Sequence, residues 1–136
     1  MENQHTIFAK GQAAPAEYFT GTTWLKVLVP NDAEIHCQAA SVTFEQGART
    51  HWHTHPGGQL LLVTYGTGFY QEAGKPVQII RKGEAVKIAP NVVHWHGASH
   101  GSGMTHIAVN PNTQHGVVNW LQPVTDEEYN SIETNK

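Results

Sequence analysis

Histidines occupy every second position at 51, 53 and 55, within the stretch GARTHWHTHPGGQLLLVTYG (47–66). Side chains that recur with a period of two lie on one face of a β-strand, whereas in a helix they would spread around the axis. The pattern therefore predicts a strand that presents imidazoles to one side. Gln59 has the same parity across the bend at 56–58, so we predict that it faces the same side.

Short β-rich segments, separated by glycine or proline, fill most of the remaining chain. Many short strands without intervening helices favour an all-β sandwich or barrel and exclude a βαβ fold. Thr125 and Glu128 have the spacing of a capping box, which predicts one helix at 125–132. We predict strands at 24–29, 35–45, 59–65, 69–72, 77–80, 85–88, 94–97, 104–109 and 117–121, with a hairpin turn at 73–76.

Length and composition predict a single domain. A chain of 136 residues is long enough for one core, and we expect an N-terminal arm at 1–20 before a single barrel domain at 21–136. A net charge of −3 without a long basic run argues against nucleic acid and membrane partners. The first residues lack the features of a signal peptide, so we expect a cytoplasmic location. The single cysteine, Cys37, excludes an internal disulfide and is expected to be a small buried residue.

The run Leu60-Leu61-Leu62-Val63 does not alternate between apolar and polar residues. A strand with one solvated face should alternate, so both faces of this strand require burial. One face fills the barrel, and we predict that the other forms a homodimer contact. Trp52 and Trp95 are out of phase with the histidines. They are expected to pack outside the barrel, with the dimer contact as one candidate location.

A second pair of alternating histidines, His94 and His96, follows in PNVVHWHGASH, and His106 shares a strand face with Asn110 in MTHIAVN. Imidazole nitrogens and amide oxygens are good ligands for first-row divalent metals. One alternating pair is weak support for a metal site. Two pairs and Gln59, each on a predicted strand and bracketed by glycines, together predict one.

The spacing of these residues resembles the two sequence motifs of the cupin family. Gly47, His53, His55, Gln59 and Gly66 resemble the first motif, and Gly83, Pro90 and His94 resemble the second. The segments at 19–21, 47–59, 94–98, 104–106 and 123–129 are more narrowly similar to small single-domain cupins that include the manganese-dependent hydroxynitrile lyases. The resemblance implies a cupin double-stranded β-helix, a jelly-roll barrel with a short C-terminal helix.

The same resemblance implies a metal held by His53, His55, Gln59 and His94. The implied metal is Mn²⁺, with Fe²⁺, Zn²⁺ and Ni²⁺ as alternatives. Glutamine stands where cupins commonly place glutamate, so four neutral ligands leave the 2+ charge uncompensated and favour Lewis-acid chemistry over oxygen activation. The lyases have a small residue at the position of His51, which we expect at the cavity mouth or in an interface.

The predicted activity is that of a metal-dependent lyase acting on a small carbonyl compound, by cleavage of a cyanohydrin to an aldehyde and cyanide. No Asp or Glu falls at a matching inner-face position on the motif strands, which leaves His106 as the predicted base and His96 as its helper. The alternatives are an iron-dependent cupin oxygenase and a non-catalytic small-molecule-binding cupin. The Gly-x-Ser-x-Gly match around Ser99 lacks the following helix of a nucleophile elbow. We expect the remaining histidines on the surface: His5, His36, His100 and His115.

Overall fold

The computed structural model describes residues 7–133. These residues form twelve β-strands, one 3-10 turn at Thr113–His115 and one α-helix. The strands are Gln12–Ala13 (β1), Phe19–Thr20 (β2), Thr23–Val29 (β3), Gln38–Phe44 (β4), Arg49–Thr50 (β5), His53–Thr54 (β6), Gln59–Glu72 (β7), Gln78–Arg81 (β8), Ala85–Ile88 (β9), His94–Ala98 (β10), Met104–Asn110 (β11) and Asn119–Trp120 (β12), and the helix is Asp126–Asn130 (α1).

The strands form two antiparallel sheets that face each other around a core. The first sheet has the order β1-β3-β4-β11-β7-β9, and the second has the order β2-β5-β10-β7-β8, with β6 pairing with both β10 and β12. This arrangement confirms the prediction of an all-β jelly-roll barrel with a short C-terminal helix.

The 14-residue strand β7 belongs to both sheets and joins them. The sequence predicted two strands here, separated by Gly66 and Gly68, and that boundary was wrong. Gly66 bends the strand without ending it, because it has a φ of 75°. A Cβ at this position would also overlap the carbonyl oxygen of Gly103, so only glycine allows β7 to pass from one sheet to the other.

Other predicted boundaries shift by a few residues. The strand predicted from residue 35 begins at Gln38, since the Asp32 carboxylate accepts hydrogen bonds from the amides of Glu34 and Ile35 and holds them in a turn. The strand predicted at 117–121 is reduced to β12. The capping box of α1 is confirmed by reciprocal hydrogen bonds of 3.0 and 2.9 Å between Thr125 and Glu128.

Apolar residues form two separate cores. The inner core lies between the sheets and includes Phe44, Leu61, Tyr70 and Met104. The outer core lies beneath α1 and consists of Trp52, Phe69, Trp95, Val124 and Tyr129. Both tryptophans therefore pack outside the barrel as predicted, but the chain's own C-terminal segment covers them.

Arg49 attaches the C-terminal segment to the barrel. Its guanidinium group is almost fully buried, donates to the Val124 carbonyl at 2.9 Å and pairs with Asp126 at 2.7 Å. It also lies 4.5 Å from the centre of the Tyr129 ring, a cation–π contact. These contacts explain how a helix of five residues stays in place.

Two strands lie within the segment predicted as an N-terminal arm. Strand β1 pairs with β3 at the edge of the first sheet, and β2 pairs with β5 in the second. Tyr18 and Phe19 from this segment reach the barrel interior, where both pack against Trp120. The single α-helix among residues 7–133 is too short to cross a membrane.

Candidate metal centre

Strands β6, β7 and β10 bring four of the predicted residues together inside the barrel. His94 on β10 is the register partner of His53 on β6, and their ring centres lie 4.3 Å apart. The ring of His55 lies 4.9 Å from that of His53 and 5.6 Å from that of His94. Gln59 begins β7, and all four side chains are at least 96% buried.

The three histidines share one hydrogen-bonding pattern. In each, Nδ1 donates to a backbone carbonyl: His53 to His51 at 2.8 Å, His55 to Val117 at 2.6 Å, and His94 to Val92 at 2.9 Å. A neutral imidazole that is protonated at Nδ1 has a lone pair at Nε2. Metal-binding histidines are held in this way, so the three rings are oriented to present Nε2 as a ligand atom.

Gln59 presents its oxygen to the same point. Its Nε2 donates to the Asn110 side chain at 2.9 Å, which turns Oε1 towards His94. Gln59 Oε1 and His94 Nε2 lie 3.3 Å apart. Because the proton of His94 is at Nδ1, two lone pairs face each other there. A cation between these two atoms would convert that repulsion into two bonds.

His96 extends this cluster. The rings of His53, His94 and His96 each place one nitrogen within 4.8 Å of the others, an arrangement that can hold a metal ion. His96 nevertheless differs from the other three histidines, since its Nδ1 contacts Nε2 of His106 at 3.0 Å instead of a carbonyl. The predicted ligand set and this triad share His53 and His94.

His106 lies in the barrel interior, fully buried on β11. Its ring centre is 4.8 Å from that of His96 and 5.3 Å from that of Phe44. His96 contacts His53, His94 and His106, so it connects His106 to the metal-binding cluster. The two predicted catalytic residues are thus adjacent to each other and to the centre.

Burial keeps these imidazoles neutral. Desolvation lowers the pKa of His94 and of His106 to about 4. Burial also lowers the pKa of His53 and of His96 well below the usual range, and neighbouring imidazoles lower both further. Neutral rings are the form that binds a metal or accepts a proton, so the cluster is ready for either role near neutral pH.

The residues fit a metal ion. His55 Nε2 and His96 Nε2 are buried atoms without a hydrogen-bond partner, and a buried polar atom of this kind is costly. Neutral imidazoles and an amide oxygen suit a first-row divalent cation. His53, His55, Gln59 and His94 would hold it.

Glu72 is an acidic residue near the cluster that the sequence interpretation did not place there. It is the register partner of His94 across β7 and β10, so its carboxylate lies beside that ring. It accepts a hydrogen bond from Tyr70 at 2.7 Å and pairs with Lys75 at 3.1 Å. The hydrogen bond from Tyr70 lowers the pKa of Glu72, followed by that from Lys75. Glu72 is not among the residues that line the cavity described below. The register between β7 and β10, which places it beside His94, is not visible in the sequence.

A cavity of about 190 Å³ opens onto the cluster. Among the described residues, four histidines line this cavity and no Asp, Glu, Lys or Arg does. The histidines are His53, His55, His96 and His106. The rest of the wall is mostly apolar and comes from both sheets and from the two segments around Tyr18 and Trp120. The apolar lining residues are Pro15, Tyr18, Phe19, Leu25, Ala40, Val42, Ala108, Val117, Val118 and Trp120.

The remaining histidines of residues 7–133 that were not assigned to the site, His36, His51, His100 and His115, do not line the cavity, but not all are surface residues. His51 is half-buried, and its backbone carbonyl holds His53. His115 is exposed, as predicted. His100 was expected on the surface, but it packs between Phe69 and Tyr129 and bonds to the Tyr129 carbonyl at 2.8 Å, which helps to hold α1.

Three further expectations concern single residues. His36 is half-buried in a left-handed turn before β4, so it is not a fully exposed residue. Cys37 is also half-buried, and not fully buried as expected. Ser99 lies between β10 and β11 with no helix after it, which agrees with the rejection of a nucleophile elbow. His5 lies outside the described residues.

The fold and the centre define a class of protein: a jelly-roll barrel whose interior carries a histidine cluster arranged to hold a metal ion. The family model for the cupin domain matches residues 40–109. The chain is 45% identical over 115 residues to an (R)-mandelonitrile lyase from Granulicella tundricola, an alignment that covers 85% of this chain and 88% of the relative. This protein therefore belongs to the cupin family.

Solved structures agree with this assignment. A cupin-like protein from Thermotoga maritima superposes with a TM-score of 0.93 at 48% identity, covering 96% of this chain and 99% of that protein. The DMSP lyase DddQ from Ruegeria pomeroyi superposes with a TM-score of 0.65 at 13% identity, covering 89% and 62% of the two chains. The second likeness concerns the fold alone.

Proposed function

We propose that this cupin is a metal-dependent lyase that cleaves a small cyanohydrin into an aldehyde and hydrogen cyanide. The observation that supports this most directly is the 45% identity to a mandelonitrile lyase over most of both chains. Geometry adds support, since a cavity with apolar walls opens onto both the candidate ligands and a neutral histidine pair.

The cavity limits the size of the substrate. A buried apolar cavity of about 150 Å³ accommodates benzene, so the 190 Å³ here suits a single ring or a short aliphatic chain next to the reacting carbon. Trp120 and Phe19 provide aromatic walls whose ring centres are 5.7 Å apart. An apolar wall also keeps water from the reacting carbon.

When bound, a divalent cation supplies a Lewis-acid position that lowers the pKa of the substrate hydroxyl group. His96 Nε2 is a buried atom without a hydrogen-bond partner beside the centre, and it does not belong to the predicted ligand set, so we assign to it the acceptance of the hydroxyl proton. As the C–CN bond breaks, its electron pair leaves with cyanide while the C=O bond forms. The imidazolium then returns the proton to cyanide, so the enzyme is restored.

His106 supports His96 in this scheme. The two rings share one proton between His96 Nδ1 and His106 Nε2 at 3.0 Å. When His96 takes a proton at Nε2, the positive charge spreads towards His106 through this hydrogen bond. His106 is required both in this scheme and in its predicted role as the base, and the variants described in the Discussion test that requirement.

The test is cyanide release from mandelonitrile and from a small aliphatic cyanohydrin, measured with protein loaded with Mn²⁺, Fe²⁺, Zn²⁺ or Ni²⁺ and with metal-free protein. We expect release that depends on the metal, with Mn²⁺ active. His115→Ala, at an exposed position away from the cavity, is the matched control and should behave as wild type. Equal rates with and without metal would refute the proposal, and oxygen consumption by the iron form would instead support an oxygenase.

A further inference from the structure

Three amide side chains form a row across the inner face of the first sheet. Gln38 on β4 and Asn110 on β11 are register partners. On the other side of β11, Val109 pairs with Leu60 on β7, which makes Asn110 the neighbour of Gln59. All three side chains line the cavity, so the row leads from β4 to the metal-binding cluster.

The hydrogen bonds along this row all have the same direction. Gln59 Nε2 donates to Asn110 Oδ1 at 2.9 Å, and Asn110 Nδ2 donates to Gln38 Oε1 at 3.1 Å. An amide has one donor end and one acceptor end, and only the oxygen can bind a cation. The orientation of each amide in the row therefore determines the orientation of the next.

If any amide in the row were reversed, Gln59 would turn its nitrogen instead of its oxygen towards the metal-binding cluster. If Asn110 turned its amide around, its NH₂ group would face Gln59. Gln59 would then direct its oxygen to Asn110 and its NH₂ group to the cluster. Gln59 and Asn110 are 96% and 91% buried, so water offers little alternative bonding. The acceptor that prevents this reversal belongs to Gln38.

We propose that Gln38 and Asn110 are positioning residues that fix Gln59 with its oxygen towards the metal centre. Gln38 acts two strands away from the ligand and touches the centre only through Asn110. The inference rests on the proposed metal site and is independent of the reaction. It explains why a glutamine can serve in a position where its amide could equally present nitrogen.

The test compares the effect of one change in two backgrounds. Gln38→Met keeps the length of the side chain but removes the acceptor for Asn110. Gln59→Glu replaces the ligand amide with a carboxylate, which has oxygen at both positions and cannot present a nitrogen. If Gln38 acts by orienting Gln59, Gln38→Met should weaken Co²⁺ binding only when residue 59 is glutamine.

The measurement is the Co²⁺ dissociation constant, with the visible absorption bands of bound Co²⁺ as a second readout. We expect Gln38→Met to raise the dissociation constant about tenfold in the wild-type background, the usual size for groups that orient a ligand. The bands should change as well. In the Gln59→Glu background, Gln38→Met should leave the dissociation constant and the absorption bands unchanged.

Gln71 provides a matched control. Gln71 is a half-buried glutamine on β7 whose Oε1 accepts from Trp95 Nε1 at 2.9 Å, outside the barrel. Gln71→Met should leave Co²⁺ binding unchanged. Circular dichroism verifies folding, and Gln38→Leu replaces Gln38→Met if that variant does not fold.

Each outcome distinguishes the inference from the proposed function. An equal loss in both backgrounds would show a general structural role for Gln38 and overturn the inference. An unchanged dissociation constant in the wild-type background would also overturn it, while the metal site would stand. Failure of the wild-type protein to bind Co²⁺ would overturn the metal site and the inference together.

Discussion

His96 Nδ1 and His106 Nε2 lie 3.0 Å apart in the barrel interior, and His96 is also part of the metal-binding triad. One of the two nitrogens donates and the other accepts, so the pair behaves as one unit with a shared proton. This relationship leads to the first prediction, which concerns proton transfer.

We expect His106→Ala to retain metal and to lose at least ~10²-fold in turnover, the usual lower size of a general-base contribution. If the pair acts as one unit, adding His96→Ala to His106→Ala should cause little further loss. The measurement is a double-mutant cycle on cyanide release, with metal content determined for each variant. Near wild-type turnover by His106→Ala would contradict both roles proposed for this residue.

The second prediction concerns the identity of the ligands. We expect about one divalent metal per chain, with bonds of ~2.0–2.3 Å from His53, His55, Gln59 and His94. His55→Ala should lose most of the metal, whereas His96→Ala should keep it, because Nδ1 of His55 is held by a carbonyl and that of His96 is not. Elemental analysis of both variants decides between the two sets. If His96→Ala lost the metal and His55→Ala kept it, the ligands would instead be those of the triad His53, His94 and His96.

The third prediction concerns assembly. Leu60 and Leu62 are each 39% exposed, while Leu61 and Val63, which alternate with them along the strand, are at least 96% buried. Leu60 pairs with Val109, so the outward face of the first sheet is apolar over adjacent strands. We expect a homodimer that buries this face, with more than ~1,000 Å² in total. Light scattering should show a dimer for wild type and a monomer for Leu60→Lys/Leu62→Lys. A wild-type monomer at micromolar concentration would refute this prediction.

The fourth prediction concerns the stability of the metal-free protein at low pH. Burial lowers the pKa of His94 and His106 from 6.5 to about 4, so the unfolded chain binds protons in this range that the folded chain does not. Stability must therefore fall as the pH falls below about 6.5. Each of these imidazoles should remove about 2 kcal/mol between pH 7 and pH 5, since one pKa unit corresponds to ~1.4 kcal/mol.

Urea unfolding of chelator-treated protein at several pH values measures this effect. Zn²⁺-loaded protein is the reference, because a metal ion competes with protons for the same nitrogens. We expect the metal-loaded form to keep its stability to lower pH. A metal-free protein that is equally stable at pH 7 and pH 5 would show that the buried imidazoles do not titrate as described.

The fifth prediction concerns the attachment of the C-terminal segment. Arg49→Met should lower the free energy of unfolding by about 1–3 kcal/mol, because it leaves the Val124 carbonyl without its buried donor. Asp126→Asn should cost less than ~1 kcal/mol, since that carboxylate is 84% exposed and solvent screens the pair. Thermal and urea denaturation of the two variants provide the comparison. An equal loss of stability in the two variants would show that the ion pair with Asp126, and not the bond to Val124, makes the main contribution of Arg49.

The sequence predicted the elements that depend on local patterns. Alternation identified the strands at 85–88 and 94–97 to within a residue, and the Thr125–Glu128 spacing identified the start of α1. Parity predicted that histidines at alternate positions share a strand face, and the resemblance to the cupin motifs implied that His94 joins His53, His55 and Gln59 in one cluster. The choice among His55, His96 and Gln59 as ligands remains a prediction.

Other features depend on long-range contacts that a single sequence does not show. The position of Glu72 beside His94 depends on the register between β7 and β10, which the sequence does not show. Trp52 and Trp95 were correctly placed outside the barrel, but what covers them depends on where the chain returns after residue 120. The hydrogen bond between His96 and His106 requires the packing of β10 against β11 across the interior, which parity does not specify.

The bond between His55 Nδ1 and the Val117 carbonyl has a consequence for kinetics. Val117 lies just after the 3-10 turn and lines the cavity, so the group that orients one ligand belongs to a loop at the cavity wall. Turning the His55 ring away from a bound cation would therefore break this hydrogen bond to the loop. We expect exchange of the ion to be slow at this step, so that the metal content of purified protein reflects which ion was abundant while the chain folded.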